Sequence, residues 1–440
     1  MVGITKMKAE KQKAEKEAFF CTTKELSRLG LEQIPTQFQS HKHLIYSSPA
    51  TLAFNSPGAE GFGVKRAGLA VPDSIMLIVA PGCCGRNTSL ISSMKEYNDR
   101  FYYLMMDETD IVTGRHLKKI PKAVEEICSV CPKKPSVVMI CITCVDALLG
   151  TDMERVCKKA EERVEIPVRP CYMYALTREG RKPPMVHVRQ SLYSLLEPGK
   201  KKGNVVNLLG FFSPLVDDCE IYDLLHSAGV KTIHEISRCK DYMEYQTMSE
   251  ANFNLVLHHE ARFAAEDFHN RLQIPFIELR RLYQIDKIEN QYHALGNALG
   301  VAFYDEKYKK QAEDALEKFR QRCPDASFAI GECLNADPFE LSLALIRYGF
   351  SVPEIYGTIT VENFTYIRSL AKISPETKVF SNMEPTMIYY DPAKSDVNLA
   401  IGKDACYYHP DCPYVMWNGE EQPYGYAGVR RLFEQLLEVV

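Results

Sequence analysis

The stretch Met76-Leu77-Ile78-Val79-Ala80-Pro81-Gly82-Cys83-Cys84-Gly85-Arg86-Asn87 decides how the rest of the chain is organised. An unbroken apolar run that stops at Pro-Gly reads as a buried parallel strand ending in a loop. In open α/β sheets ligands bind in the crevice outside the carboxyl ends of the strands. A strand that delivers Cys83 and Cys84 to such an edge therefore places two thiols where a cofactor or a partner subunit can reach them.

Downstream, a second apolar run, Phe101–Met106, leads into the acidic turn Asp107-Glu108-Thr109-Asp110. The spacing of Leu117, Ile120, Val124 and Ile127 predicts an amphipathic helix over 116–128. Val137-Val138-Met139-Ile140 then reads as another buried strand, ending in Cys141-Ile142-Thr143-Cys144 and followed by a helix over 146–162.

The pattern recurs twice. Asn204–Gly210 and Ser327–Gly331 each read as a strand closed by Gly, followed by a helix (218–228 and 338–348), a Gly stop and a further strand. Strand segments at 254–258, 378–381 and 398–401 extend these units. Alternating strands and helices imply right-handed crossovers and parallel sheets, so the expected fold is α/β with three Rossmann-like, doubly wound domains. The expected division is an N-terminal arm (1–40), a first domain carrying the cysteines (41–200), a second (201–322) and a third with the C-terminal helix (323–440). At 440 residues the chain exceeds the roughly 250–300 residues at which single cores split.

Charge excludes some partners. A net charge of −4 offers no electrostatic case for nucleic acid or anionic lipid. The lysine- and glutamate-rich start lacks an apolar stretch and no later run has membrane-spanning length. A cytoplasmic protein without a membrane segment is expected. Fifteen cysteines, an odd number without a secretory signal, argue for reduced thiols, some of them metal ligands, rather than a disulfide framework.

Thiolates are the usual iron–sulfur ligands, four to a cluster. Cys83, Cys84, Cys141 and Cys144 fall at the ends of two strands of one domain, although Cys141, inside its strand, reads better as a small core residue. The pair Cys128/Cys131 at a helix end carries no chemistry of its own. A second group, His258-His259-Glu260, follows the strand at 253–257. Its imidazoles and carboxylate suit iron or nickel, and two polar residues at a solvated strand end account for it equally well. No phosphate-binding Gly-x-x-x-x-Gly-Lys-Ser/Thr loop and no Gly-x-Gly-x-x-Gly fingerprint occurs, so this chain is not expected to bind ATP or a dinucleotide in the familiar way.

Three motifs in order resemble the nitrogenase component 1 superfamily: Ala80-Pro81-Gly82-Cys83-Cys84, Asp107–Gly114, and Ile142-Thr143-Cys144-Val145-Asp146 through Asp152. That superfamily includes the molybdenum–iron protein subunits, their cofactor-assembly scaffold, dark-operative protochlorophyllide reductase and the methanogen nickel-tetrapyrrole cyclase. Val206–Gly210, Asn254–Val256 through Phe276, and the closing Tyr424-Gly425-Tyr426-Ala427-Gly428 continue the likeness.

The resemblance implies that Cys84 or Cys83, with Cys84 preferred, and Cys144 hold an iron–sulfur cluster shared between subunits. The family's further upstream cysteine would fall near Phe54–Gly58, where none is present. Two ligands per chain suit a single [4Fe-4S] cluster at the interface with a second component 1 subunit, in a homodimer, heterodimer or heterotetramer. His258 or His259 stands where the catalytic nitrogenase subunits present a Cys to their metal cofactor, and Met416-Trp417 stands near the family's C-terminal His. The resemblance therefore implies a nitrogenase-like oxidoreductase that does not fix nitrogen, with a possible second metallocentre at His258. Electrons would come from a separate iron–sulfur ATPase that alone binds ATP. The alternatives are a non-catalytic scaffold for metallocluster assembly and an α/β binding protein whose cysteines are incidental.

Overall fold

The computed structural model describes residues 17–39, 49–50, 63–82, 95–143, 145, 149–172 and 182–440. Within them the chain forms three sheets of parallel strands, with a single antiparallel addition. That addition is β1 (Phe20–Thr22). The first sheet comprises β2 (Ile75–Ala80), β3 (Phe101–Met105), β4 (Val138–Ile142) and β5 (Val168–Tyr172) in the order 3-2-4-5. The second comprises β6 (Lys202–Leu209), β7 (Thr232–His234), β8 (Ala251–Val256) and β9 (Phe276–Glu278) in the order 7-6-8-9. The third holds β10 (Ser327–Ile330), β11 (Ser351–Tyr356), β12 (Lys378–Phe380), β13 (Leu399–Ile401) and β14 (Tyr414–Val415), in the order 1-12-11-10-13-14. The expected α/β fold with three doubly wound sheets is what the chain forms.

Every residue of β2 is buried, as its unbroken apolar run requires. Burial of each such side chain contributes roughly 1.5–3 kcal/mol of transfer free energy. Its alternate residues serve two cores. Met76, Ile78 and Ala80 join Val188, Leu192 and the second sheet's Leu209 and Val256, while Leu77 and Val79 pack with Ile120, Val124 and Val156. The first two sheets thus share a core through the helix Pro184–Tyr193.

Helix starts follow local capping chemistry. Asp107, expected in an acidic turn, instead caps the helix Glu108–Thr113 in a reciprocal capping box with Asp110. Asp152 caps Met153–Val164, and Asp337 caps Pro338–Arg347 through the Phe339 and Glu340 amides.

Two segments sit elsewhere than their place in the sequence suggested. The arm is sewn to the third sheet: β1 pairs with β12, and the Ser381 hydroxyl donates to the Gln37 carbonyl. The helix Glu306–Arg322, expected in the second domain, packs on the C-terminal helix Gly425–Val439, with Phe319 against Phe328, Phe350 and Phe433 of the third core. Its apolar positions Ala312, Ala315, Leu316 and Phe319 form one stripe, and the face that stripe meets belongs to the third sheet. The closing motif Tyr424–Gly428 starts that C-terminal helix. The buried Glu220 carboxylate accepts from the Tyr426 amide at 2.6 Å, the Ala427 amide at 3.0 Å and the Tyr292 hydroxyl at 2.6 Å, tying the second unit to the third.

Candidate functional site

In each sheet the first of the parallel strands, β2, β6 or β10, is flanked on one side by the next strand in sequence and on the other by a later one. The crevice between those two neighbours is the topological switch point, where loops from adjacent strands leave in opposite directions and open a cleft. The three switch points differ in what fills them.

At the first, β2 pairs with β4 in register, Val79 beside Ile142. The described backbone reaches Gly82 after β2 and Thr143 after β4. Cys83 and Cys84 follow Gly82 in sequence and Cys144 follows Thr143; all three lie outside the described residues. Thr143 is buried, and its Oγ1 has no hydrogen-bond partner among the described residues, so the crevice has an unused polar atom beside the cysteine positions. Met105, Val112 and Leu149, on segments that follow β3 or β4 or close β3 itself, are exposed apolar residues.

The other cysteines are separate. Cys141 and Cys171 are register partners on β4 and β5 and wholly buried. The hydrogen bond it donates to Cys141, together with burial, holds the Cys171 thiol well above its ordinary range, as suits an inert core thiol. Cys131 contacts the Tyr102 hydroxyl at 3.0 Å, and burial raises Cys128. Cys128 lies in the last turn of the helix His116–Val130 and Cys131 caps its end, both before β4, at its amino end, remote in topology from Cys144.

The second switch point opens into a cavity of about 470 Å³ between the second and third sheets. One wall carries Phe211, Ser213, His258, His259 and Arg281, from the ends of β6, β8 and β9; the facing wall carries Glu332, Asn335, Asp337 and Tyr366. His258 is placed by close backbone contact. A Cβ on Gly210, whose φ is +141°, would lie 2.8 Å from the His258 nitrogen, so the end of β6 lies against His258 only because residue 210 is Gly.

Behind His258, Arg189 is nearly inaccessible and fully engaged. It donates twice to the Gly210 carbonyl at 3.0 and 2.7 Å, once to Met185 at 2.9 Å, and to Glu260 Oε2 at 2.7 Å. Burial, together with the charges of Arg189, His259 and Arg281, holds the His258 imidazole well below its usual range, although a third of its side chain, 34%, is accessible in the cavity it lines. It is therefore neutral at pH 7, the form that ligates a metal or accepts a proton. His259 stacks on it with ring centroids 4.5 Å apart.

Among the described residues no three His, Cys, Asp or Glu side chains converge to hold a metal ion. His226, His234 and His269 are engaged elsewhere or on other faces: His226 with the Val230 carbonyl and His234 with Thr247. The Met416-Trp417 pair also falls away from the cavity lining. Trp417 is buried and donates to the Tyr283 hydroxyl at 2.6 Å.

The third switch point is plugged. The buried Asp404 carboxylate accepts from the Glu332 amide at 2.8 Å, the Cys333 amide at 2.9 Å and the Asn382 side chain at 2.6 Å. A Cβ on Gly331 would lie 2.1 Å from Asp404 Oδ1, so the plug needs glycine there. Arg189, Ser213, Arg281 and Glu332 have no motif around them in the sequence. Only the rule that loops after adjacent strands share a crevice could have singled them out.

Three doubly wound sheets in one chain, with ligand-sized space at a switch point between two of them, define a tripartite α/β class. Residues 60–440 match the model of the nitrogenase component 1 type oxidoreductases, and the chain belongs to that family. It is 25% identical over 418 residues to the nitrogenase iron-molybdenum cofactor biosynthesis protein NifE of Sinorhizobium fredii, covering 89% of this chain and 82% of that protein. It is 25% identical over 284 residues to the protein of the same name from a Nostoc species, covering 61% and 58%. Among solved structures, a chain of nitrogenase Cp1 at pH 6.5 superposes with a TM-score of 0.68 at 18% identity, covering 90% of this chain and 92% of that one. The last likeness is one of fold.

Proposed function

We propose that this chain is a subunit of the catalytic component of a nitrogenase-like, ATP-dependent reductase, and that Cys84, with Cys83 as its alternative, and Cys144 hold half of a [4Fe-4S] cluster shared with a second component 1 subunit. The observation that carries this reading is the pairing of β2 with β4, whose ends precede the three cysteines in sequence. Thiolates at one switch point are the right donors for iron and sulfide, and the unpartnered Thr143 hydroxyl adds a donor that a cluster sulfur or its ligand thiolate could accept. Two cysteines from each of two chains complete the usual four. Such a cluster supplies one-electron chemistry. A separate iron–sulfur ATPase provides the electrons, in keeping with the absence of a phosphate-binding glycine loop from this sequence.

The cavity beside His258 takes the substrate or metallocofactor. Neutral His258 offers a lone pair to a metal already assembled in the incoming ligand, or accepts its proton. Arg189 and Glu260 position that ring, and the two sheets exclude bulk water from behind it. Nitrogen fixation is not proposed. A second reading, a scaffold on which a metallocluster is assembled, is favoured by the cofactor-biosynthesis names of the relatives.

Turnover separates the two. Purified anaerobically with its partner subunit, the ATPase and ATP, a reductase consumes ATP in step with reduction of a substrate. A scaffold instead transfers iron to an acceptor protein without sustained reduction. Sustained iron transfer with no substrate reduced would replace the first reading with the second.

A further inference from the structure

We infer that the second-sheet wall of the cavity is a subsite for an oxyanion, a carboxylate or phosphate group of the bound ligand, received by Arg281 and Ser213. This rests on the reading of the cavity as a ligand site and adds the chemical class of what enters it.

The argument begins with hydrogen bonds that are not made. Arg281 lines the cavity, yet no carboxylate among the described residues pairs with it. Its Nη2 donates to the side-chain oxygen of Gln422 at 2.6 Å, and its guanidinium lies over the Phe211 ring, 4.4 Å from the centroid. Its Nε is shielded from solvent and has no acceptor among the described residues. Ser213 also lines the cavity, is 5% exposed, and its hydroxyl is likewise without a partner among the described residues.

These two donors are neighbours in the fold. Gln422, which holds Arg281, donates its amide to the Pro214 carbonyl at 2.9 Å and bridges Leu215, so the segment that follows Ser213 runs alongside it. His258 meets the same Phe211 ring edge-on at 5.7 Å.

A buried donor left unmatched costs about 1–3 kcal/mol, and a buried cation without a carboxylate is rarer still because its charge must be offset. Two other cations of this wall are offset: Arg189 has Glu260 and Arg262 has Glu278, the latter through two bonds at 2.6 and 2.8 Å. Arg281, like the exposed Arg280 beside it in the lining, forms no ion pair among the described residues. Two open donors and an uncompensated positive charge call for a group with negative oxygen acceptors, and an Arg guanidinium binds carboxylate and phosphate with particular geometric fit. On the facing wall Glu332 accepts from the Thr358 amide at 2.9 Å and Asp337 from two amides, and the exposed Glu362 adds a third carboxylate there, so an anion entering the cavity is directed to the second-sheet wall and Arg281.

The test uses the anaerobically purified chain with its partner subunit, titrated separately with inorganic phosphate and with succinate. Binding is followed by calorimetry and by fluorescence of Trp417, the single tryptophan, which is bonded to Tyr283 two residues from Arg281. Saturable binding of at least one anion is expected, weakened about tenfold or more in Arg281→Gln and severalfold in Ser213→Ala. Whichever anion binds identifies the group. Should Arg281→Gln fail to fold, Ser213→Ala still decides. Absence of saturable binding for both anions, or equal affinity in wild type and folded variants, overturns the subsite. Iron content, measured in the same samples, reports on the cysteine reading separately: Cys144→Ala should lose iron and keep anion binding.

Discussion

The second and third sheets have the same switch-point topology and put it to opposite uses. In the third, Asp404 fills the crevice and satisfies the amides of Glu332 and Cys333. In the second, the same position is left open, Gly210 lets His258 lie against the end of β6, and about 470 Å³ of space remains. The difference shows that a Rossmann-like crevice is available chemistry rather than obligatory chemistry: one buried carboxylate turns a binding cleft into a structural joint.

The comparison breaks most visibly if the plug is pulled. Asp404→Ala leaves two buried amides and the Asn382 side chain without their acceptor, and a destabilisation of about 3–5 kcal/mol is expected from chemical denaturation. A loss under 1 kcal/mol would mean that water replaces the carboxylate and that the third crevice is not closed by it. Closing the open crevice is the converse experiment. In Gly210→Ala the added Cβ collides with the His258 backbone, so a loss of about 1–3 kcal/mol in stability is expected, together with weaker ligand capture in the cavity. Unchanged anion binding would show that His258 does not depend on that close approach.

A smaller effect concerns the joint between the open and closed crevices. Glu340 accepts from the Tyr283 and Gln284 amides and from the Gln284 side chain, bracing the segment that carries Arg281. Burial raises its carboxyl from 4.5 to about 7 and that of Asp337 from 3.8 to about 6. Groups whose pKa is raised on folding add stability below their unfolded pKa and lose it as pH rises through the folded one. Relative to Glu340→Gln, the wild type should therefore melt higher at pH 5 than at pH 8, with the change centred between pH 5 and 7. A difference that does not vary with pH would mean that Glu340 remains ionised throughout.

Much of this was legible before the structure, and the reasons are local. The apolar runs at β2, β4, β6, β8 and β10 are long enough, and end abruptly enough in Gly, Pro or polar residues, to mark strands and their order. The strand end before His258, and the ends of β2 and β4 that precede Cys83, Cys84 and Cys144 in sequence, were legible for the same reason. What escaped is non-local. The helix Glu306–Arg322 shows an apolar stripe in sequence, yet the partner it chooses, the C-terminal helix, lies a hundred residues on. Arg189, Ser213 and Arg281 are ordinary residues in sequence, and become notable only because one is fully paired and the others keep unmatched donors. The acidic turn at Asp107 was misread because a capping box starts a helix with the same residues that favour a turn.

The central claim, that the first crevice supplies half the ligands of a shared cluster, is tested most directly by counting iron and sulfide per chain in anaerobically purified protein, with native mass spectrometry of the same sample. The account predicts a two-subunit assembly holding about four irons, or about two per chain of a symmetric pair, with an iron–sulfur EPR signal on reduction and loss of both iron and signal in Cys144→Ala. Iron content unchanged in that variant, or a colourless wild-type protein without sulfide, would contradict it.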